Sequence, residues 1–141
     1  MSFPLLPIKP QIDESLYDFT SNFRYSRLDE LVGNKDMGVI MHCIKIKHPY
    51  ICELCAKYGY EDLLKKAHQN GCGISVSTCI KAAKYDHLQC LKYAHENGGN
   101  LGCSCFVSCV YGNLECFRYA LETGCVYDDL TQDLARRKGW L

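Results

Sequence analysis

The sequence predicts an all-α fold, a solenoid of stacked helical hairpins with a helical amino-terminal region and a carboxy-terminal capping helix. Two observations carry this. The chain repeats itself every 26 to 27 residues, and each copy holds two stretches of helical periodicity, split by a turn former and closed by a glycine. Tyr50–Gly71, Ser77–Gly98 and Cys103–Gly124 superpose without a gap at offsets of 27 and then 26. Cys52, Cys79 and Cys105 then share a position, as do Tyr58, Tyr85 and Tyr111, Leu64, Leu91 and Phe117, and Ala67, Ala94 and Ala120.

The elements follow in chain order. Residues 1–48 are expected to form an extended arm and a helical cap. In the arm, Pro4, Pro7 and Pro10 punctuate Phe3, Leu5, Leu6 and Ile8, which suits an apolar strip lying on another surface. Asp13–Phe19, Tyr25–Val32 and Lys35–Ile46 read as short helical pieces, and Tyr25–Val32 reads as a decayed copy of the repeat.

Residues 49–127 hold the three hairpins. Breakers stand at Gly59, Asp86 and Gly112, and Gly71, Gly98 and Gly124 stand where a helix ends on a left-handed residue. In the second half of the middle copy, Leu88, Leu91 and Ala94 mark a buried face while Gln89, Lys92 and Glu96 take the wet one. A lone pair of ten-residue helices is marginal in water, so the copies must stack and their ends need covering. Residues 128–141 supply the carboxy-terminal cap: Leu130, Leu134 and Trp140 are expected to cover the third hairpin. Asp128 and Asp129 open that helix and Arg136, Arg137 and Lys138 close it, as the macrodipole favours.

The string AKYDHLQCLKYAHENG over 83–98, with its echoes KYGYEDLLKKAHQNGC and VYGNLECFRYALETGC, resembles the degenerate ankyrin-type repeats that giant DNA viruses encode. The resemblance covers Pro49 to about Tyr127. It departs from the ordinary ankyrin unit in its short period and in lacking a Thr-Pro-Leu-His opening, so projecting fingers are expected to be short or missing. In that family the recognition surface is formed by the end of the first helix and the adjoining turn. The resemblance therefore implies a surface of Lys57, Tyr58, Lys84, Tyr85, Val107, Val110 and Tyr111, and a histidine such as His87 that is structural.

Composition narrows the function. Sixteen basic residues balance sixteen acidic ones, so net charge does not drive the chain onto nucleic acid or lipid. Between Lys35 and Lys92 nine lysines face five acids, an excess that a solvated helical face also carries, and nucleic acid is not expected as a partner. No apolar run approaches the ~20 residues that span a bilayer. The start of the chain has no basic leader, and an intracellular protein is expected.

Eleven cysteines invite a zinc or disulfide reading, notably Cys52 with Cys55 and Cys103, Cys105 and Cys109. The repeat argues for reduced packing residues instead. Cys90 and Cys116 stand where the first copy has Leu63, and Cys109 stands where the others have Ala56 and Ala83. His68 and His95 share a position near the end of a helix, suited to bonding its last carbonyls. No nucleophile elbow, metal-protease pair or phosphate loop is present, so neither catalysis nor a cofactor nor a small-molecule substrate is expected.

The expectation is a non-enzymatic binder of a host or viral protein. The alternative is a structural component of a virus particle held through the arm Phe3, Leu5, Leu6 and Ile8. Truncating a stacked residue such as Leu91 should unfold the array as a whole.

Overall fold

The computed structural model describes residues 22–141, with side chains from Tyr25 onward. Among the described residues there are nine α-helices and no strand: α1 (Asn22–Gly33), α2 (Met37–Lys45), α3 (Ile51–Lys57), α4 (Glu61–Gln69), α5 (Val76–Lys84), α6 (Leu88–Glu96), α7 (Ser104–Val110), α8 (Leu114–Glu122) and α9 (Asp129–Arg137). The arm Phe3–Pro10 and the piece Asp13–Phe19 lie outside the described residues. The expected helix over Lys35–Ile46 begins only at Met37, because Lys35 is left-handed and Asp36 caps the helix by accepting the Val39 amide at 3.2 Å.

The helices pack in consecutive pairs, α1 with α2, α3 with α4, α5 with α6, and α7 with α8. The first helices also meet in a row, α1 on α3, α3 on α5, α5 on α7 and α7 on α9, and the second helices α4, α6 and α8 form a parallel layer. No helix exceeds twelve residues, so isolated stability is negligible and burial between pairs must hold the structure.

The backbone repeats more regularly than the sequence. The amides of Asp36, Tyr60, His87, Asn113 and Trp140 each donate to a carbonyl five residues back, Leu31, Cys55, Ala82, Ser108 and Ala135, at 2.8–3.0 Å. The amides of His48, Cys72, Gly99 and Cys125 do the same at the ends of the second helices, also at 2.8–3.0 Å. Each such closure needs a left-handed residue just before it. Lys35 and Lys47, with φ of 58° each, fill the places that Gly59 and Gly71 fill in the next pair. Two facts follow: α1 and α2 carry the register of the later pairs, and α9 carries that of a first helix.

Burial has the same period. Leu28, Cys52, Cys79 and Cys105 on the first helices are buried, as are Ile40, Leu64, Leu91 and Phe117, and Cys43, Ala67, Ala94 and Ala120, on the second. Cysteine and alanine let helix axes approach closely, and the larger leucines and Phe117 fill the space between layers. Val39 and Ile44 complete the burial of α2.

Neighbouring pairs are also tied by polar bonds. His68 Nδ1 meets the Tyr93 hydroxyl at 2.8 Å, and His95 Nδ1 meets that of Tyr119 at 2.9 Å, with the rings edge to face in both cases. These histidines thus reach the next pair instead of bonding their own helix ends. The side-chain amides of Asn70 and Asn97 take that task, donating to Lys66 O and Tyr93 O, each at 2.8 Å.

At the carboxy-terminal end the expected cap is corrected in phase. Leu130 is 62% exposed, and the buried residues of α9 are Thr131 and Ala135. Asp128 sets this phase by accepting from the Thr131 amide at 2.9 Å and hydroxyl at 2.7 Å, contacts that hold its carboxyl below the usual carboxylate range. Leu134 packs on the last cluster, and Trp140 lies against Phe117 with ring centroids 5.3 Å apart.

Candidate interaction surface

Lys57, Lys84 and Val110 are the last residues of α3, α5 and α7, and Tyr58, Tyr85 and Tyr111 are their C-caps. A cation at a helix C-terminus faces unsatisfied carbonyls, which favours lysine in the first two places. The row of first helices brings the three pairs side by side. Lys57 Nζ lies 5.2 Å from the Tyr58 ring and 5.5 Å from the Tyr85 ring, and Lys84 Nζ lies 5.3 Å from both Tyr85 and Tyr111. Rings and ammonium groups therefore alternate along the surface, each cation shared by two rings.

The stripe opens along its length. At the amino-terminal end Lys57 Nζ donates to Asp29 Oδ2 at 2.6 Å and the Tyr58 hydroxyl donates to Asp29 Oδ1 at 2.5 Å. Burial draws the Lys57 ammonium toward its neutral form, but the bond and charge of Asp29 outweigh it and hold its pKa above the ordinary lysine value. Tyr58 is pushed up by burial and then by the same carboxylate. Its ring lies over Gly33, where an added Cβ would come within 2.8 Å of it. Tyr58 is thus largely a packing residue. Tyr85, 38% exposed, and Tyr111, 54% exposed, are surface rings.

Beyond Tyr111 the surface turns apolar. Val110 is exposed where Lys57 and Lys84 stand in earlier pairs, Val107 is half-buried, and Phe106 is exposed. Between α7 and α9 an open groove of about 460 Å³ is lined by Gly102, Cys103, Phe106, Val126, Tyr127 and Leu130. Val126, 89% exposed, is the most open large apolar side chain among the described residues. Val76 extends this surface on the other side, close enough that a Cβ on Gly102 would meet it at 2.8 Å. Exposed apolar area concentrated at one end of the row is the kind of feature that marks a contact surface.

Of the expected surface residues, the structure places Lys84, Tyr85, Val107, Val110 and Tyr111 on one continuous face and turns Lys57 and Tyr58 partly inward to Asp29. Phe106, Val126, Tyr127 and Leu130 belong to the same face and were not anticipated. Phe106 was legible: it takes the repeat position of Glu53 and Ile80, a drift from charged to apolar toward the carboxy-terminal end. Leu130 was masked by its regular spacing to Leu134, and only the Asp128 cap reveals that α9 is turned by one residue.

Most of the thiols are packed inside the fold. None of the eleven cysteines is in a disulfide, and nine are buried. Burial pushes the thiols of Cys79 and Cys90 up to about 11 and those of Cys52 and Cys116 up to about 12, so they stay protonated at neutral pH. Among the described residues no three His, Cys, Asp or Glu side chains are grouped to hold a metal ion, and no helix is long and apolar enough to cross a membrane. His87 caps α6 and its ring covers Gly59, where a Cβ would lie 2.5 Å from Nδ1.

Compared with protein-family models, with curated proteins and with solved structures, the chain matches none.

Proposed function

We propose that the chain is a non-enzymatic, ankyrin-like solenoid that binds a protein partner through the face made by the ends of α5 and α7 and the start of α9. The observation that carries this reading is the exposure of Tyr85, Phe106, Val110, Tyr111, Val126 and Leu130 on the part of the row where α5, α7 and α9 pack, with Lys84 over the rings of Tyr85 and Tyr111. Aromatic rings on a rigid helical row offer large contact area at small entropic cost, and a cation between the rings gives orientation. The resemblance of the repeats to those of giant DNA viruses makes the partner a host or viral protein, and the chain a virus-encoded adaptor working inside the host cell.

The test is affinity capture from host and infected-cell lysates, comparing the native chain with a Tyr85→Ser, Val110→Asp, Tyr111→Ser variant. All three side chains are exposed, so the variant should keep its helical circular dichroism. One partner enriched by the native chain and lost from the folded variant supports the reading. The same proteins retained by both would overturn it.

A further inference from the structure

Two of the three alignable copies carry a second cysteine directly after the closing glycine, Cys72 and Cys125, where the middle copy has Gly99. The amides of Cys72, Gly99 and Cys125 close the same turn, so the backbone presents the three residues alike. What this place faces is the buried cysteine of its own first helix. A Cβ added to Gly99 would lie 2.9 Å from Cys79 Sγ, close to the separation of about 3 Å that a disulfide sets between a Cβ and the sulfur across the bond. In the third copy Cys125 packs on the cluster that holds Cys105. Burial, and then the hydrogen bond and charge of the Cys125 thiol, push the Cys105 thiol above its ordinary value.

Access separates the two cysteine pairs. Cys52 and Cys72 are only 1% and 3% exposed. Cys125 is half-buried and lines an open cleft of about 390 Å³ together with His95, Gly99, Asn100, Gly102 and Thr123. Its Sγ donates to Gly102 O at 3.5 Å. A small oxidant thus reaches one thiol of the third pair from solvent, and the other thiol stands behind it.

We propose that Cys105 and Cys125 are a redox pair, closing to a disulfide in the folded chain when a small disulfide such as oxidised glutathione enters the cleft beside Cys125. The Cys125 thiol gives its proton to water and its Sγ attacks one sulfur of the small disulfide. That S–S bond breaks, and the departing thiolate takes up a proton. Cys105, deprotonated in turn, attacks Cys125 Sγ in the mixed disulfide and expels the second small thiol. Two protein thiols are oxidised to one disulfide and one small disulfide is reduced to two thiols. Burial leaves little thiolate at Cys105, so the mixed disulfide should appear first. The new bond ties α7 to the connection that follows α8, closing a loop over residues 105–125. This inference goes beyond the partner-binding reading and does not rest on it.

The test incubates the reduced full chain with oxidised glutathione, unfolds it in acid, blocks the remaining thiols with N-ethylmaleimide and maps the peptides by mass spectrometry. The expected result is the loss of two of the eleven thiols, joined as Cys105–Cys125, with an extent that is unchanged on dilution and a full return under reductant. Fragmentation separates Cys105 from Cys103 and Cys109 within one peptide. Cys105→Ala should stop at a glutathione adduct on Cys125, and Cys125→Ser should leave Cys105 unmodified.

In the native chain, a bond from Cys125 to the exposed Cys103, glutathione retained on Cys125, or no change at either thiol overturns the proposal. Bonds between two chains, growing with protein concentration, overturn it in favour of a surface thiol that links copies. A Cys52–Cys72 bond forming at the same rate also overturns it, because oxidation would then pass through the unfolded chain. The map of the native chain decides this even where a variant fails to fold.

Discussion

Asn113 and Tyr60 occupy the same place in two different helix pairs and do the same work with unrelated side chains. The Asn113 amide donates to Ala83 O at 2.7 Å and Lys84 O at 2.9 Å, and the Tyr60 hydroxyl reaches Val32 O and Gly33 O, both at 3.1 Å. Each closes the carbonyl end of the preceding first helix, where groups are left unsatisfied by the helix itself.

Asn113→Ala should therefore cost about 1–3 kcal/mol, since both carbonyls lose their donor at a partly buried junction. Asn113→Asp should cost at least as much near neutral pH, because a carboxylate faces two carbonyls and donates nothing, and part of the loss should return in acid as it protonates. Urea unfolding of the three proteins at two pH values measures this. Equal stability of all three would mean that water replaces the side chain without loss.

The buried thiols predict a pronounced alkaline instability. An unfolded thiol titrates near pH 8.5, but Cys79 and Cys90 are pushed up to about 11 and Cys52 and Cys116 up to about 12 by burial. The folded state therefore keeps protons that the unfolded chain gives up. The stability from these groups is complete below the unfolded value and is lost as pH rises through the interval up to the folded one. Each thiol contributes a slope of about 1.4 kcal/mol per pH unit there. The urea midpoint, measured with a reductant present, should be level to about pH 8 and then fall steeply by about pH 10, and Cys79→Ala should flatten the fall. A level profile throughout would show that the thiols reach water without unfolding.

The sequence disclosed helices more readily than it disclosed where copies of the pattern start and stop. All-helical structure was legible because the three-to-four spacing of Leu88, Leu91 and Ala94 and the closing glycines recur in three alignable copies. The pair α1–α2 was only half legible: Lys35 and Lys47 adopt the left-handed backbone that Gly59 and Gly71 adopt, and the offset to the next pair shrinks to 24 residues. Backbone geometry there is enforced by the packing of Leu28, Ile40 and Cys43, which overrides a local preference for glycine. On the exposed face at the end of α7, Val110 and Tyr111 were legible as repeat positions with atypical content. Val126 and Tyr127 were not, because they lie beyond Gly124, where the three alignable copies of the sequence end.

Glycine at the pair junctions separates backbone strain from steric room. Gly98 has φ of +96° and open space around it, whereas Gly73 has equal room without a positive φ. Gly98→Ala should destabilise by about 1 kcal/mol through the left-handed backbone alone. Gly73→Ala should be neutral or stabilising by about 0.4–1 kcal/mol, because alanine narrows the unfolded ensemble. Thermal midpoints of the two variants moving in the same direction would contradict this assignment of the turn.

Leu91 tests whether the helix pairs unfold together. It is fully buried on α6, which packs on α4, α5 and α8, so its truncation removes contacts to pairs on both sides. Leu91→Ala should cost about 2–5 kcal/mol through lost burial and the cavity left behind. None of the pairs has a core of its own: buried residues from Leu28 to Leu101 belong to one cluster, and the second, around Phe117 and Ala135, forms only where α7, α8 and α9 meet. Loss of the middle pair should therefore expose both flanks, and amide hydrogen exchange should rise in α3, α4, α7 and α8 as well as in α5 and α6. Faster exchange confined to α5 and α6 would show that the pairs are held independently and would refute the cooperative stack.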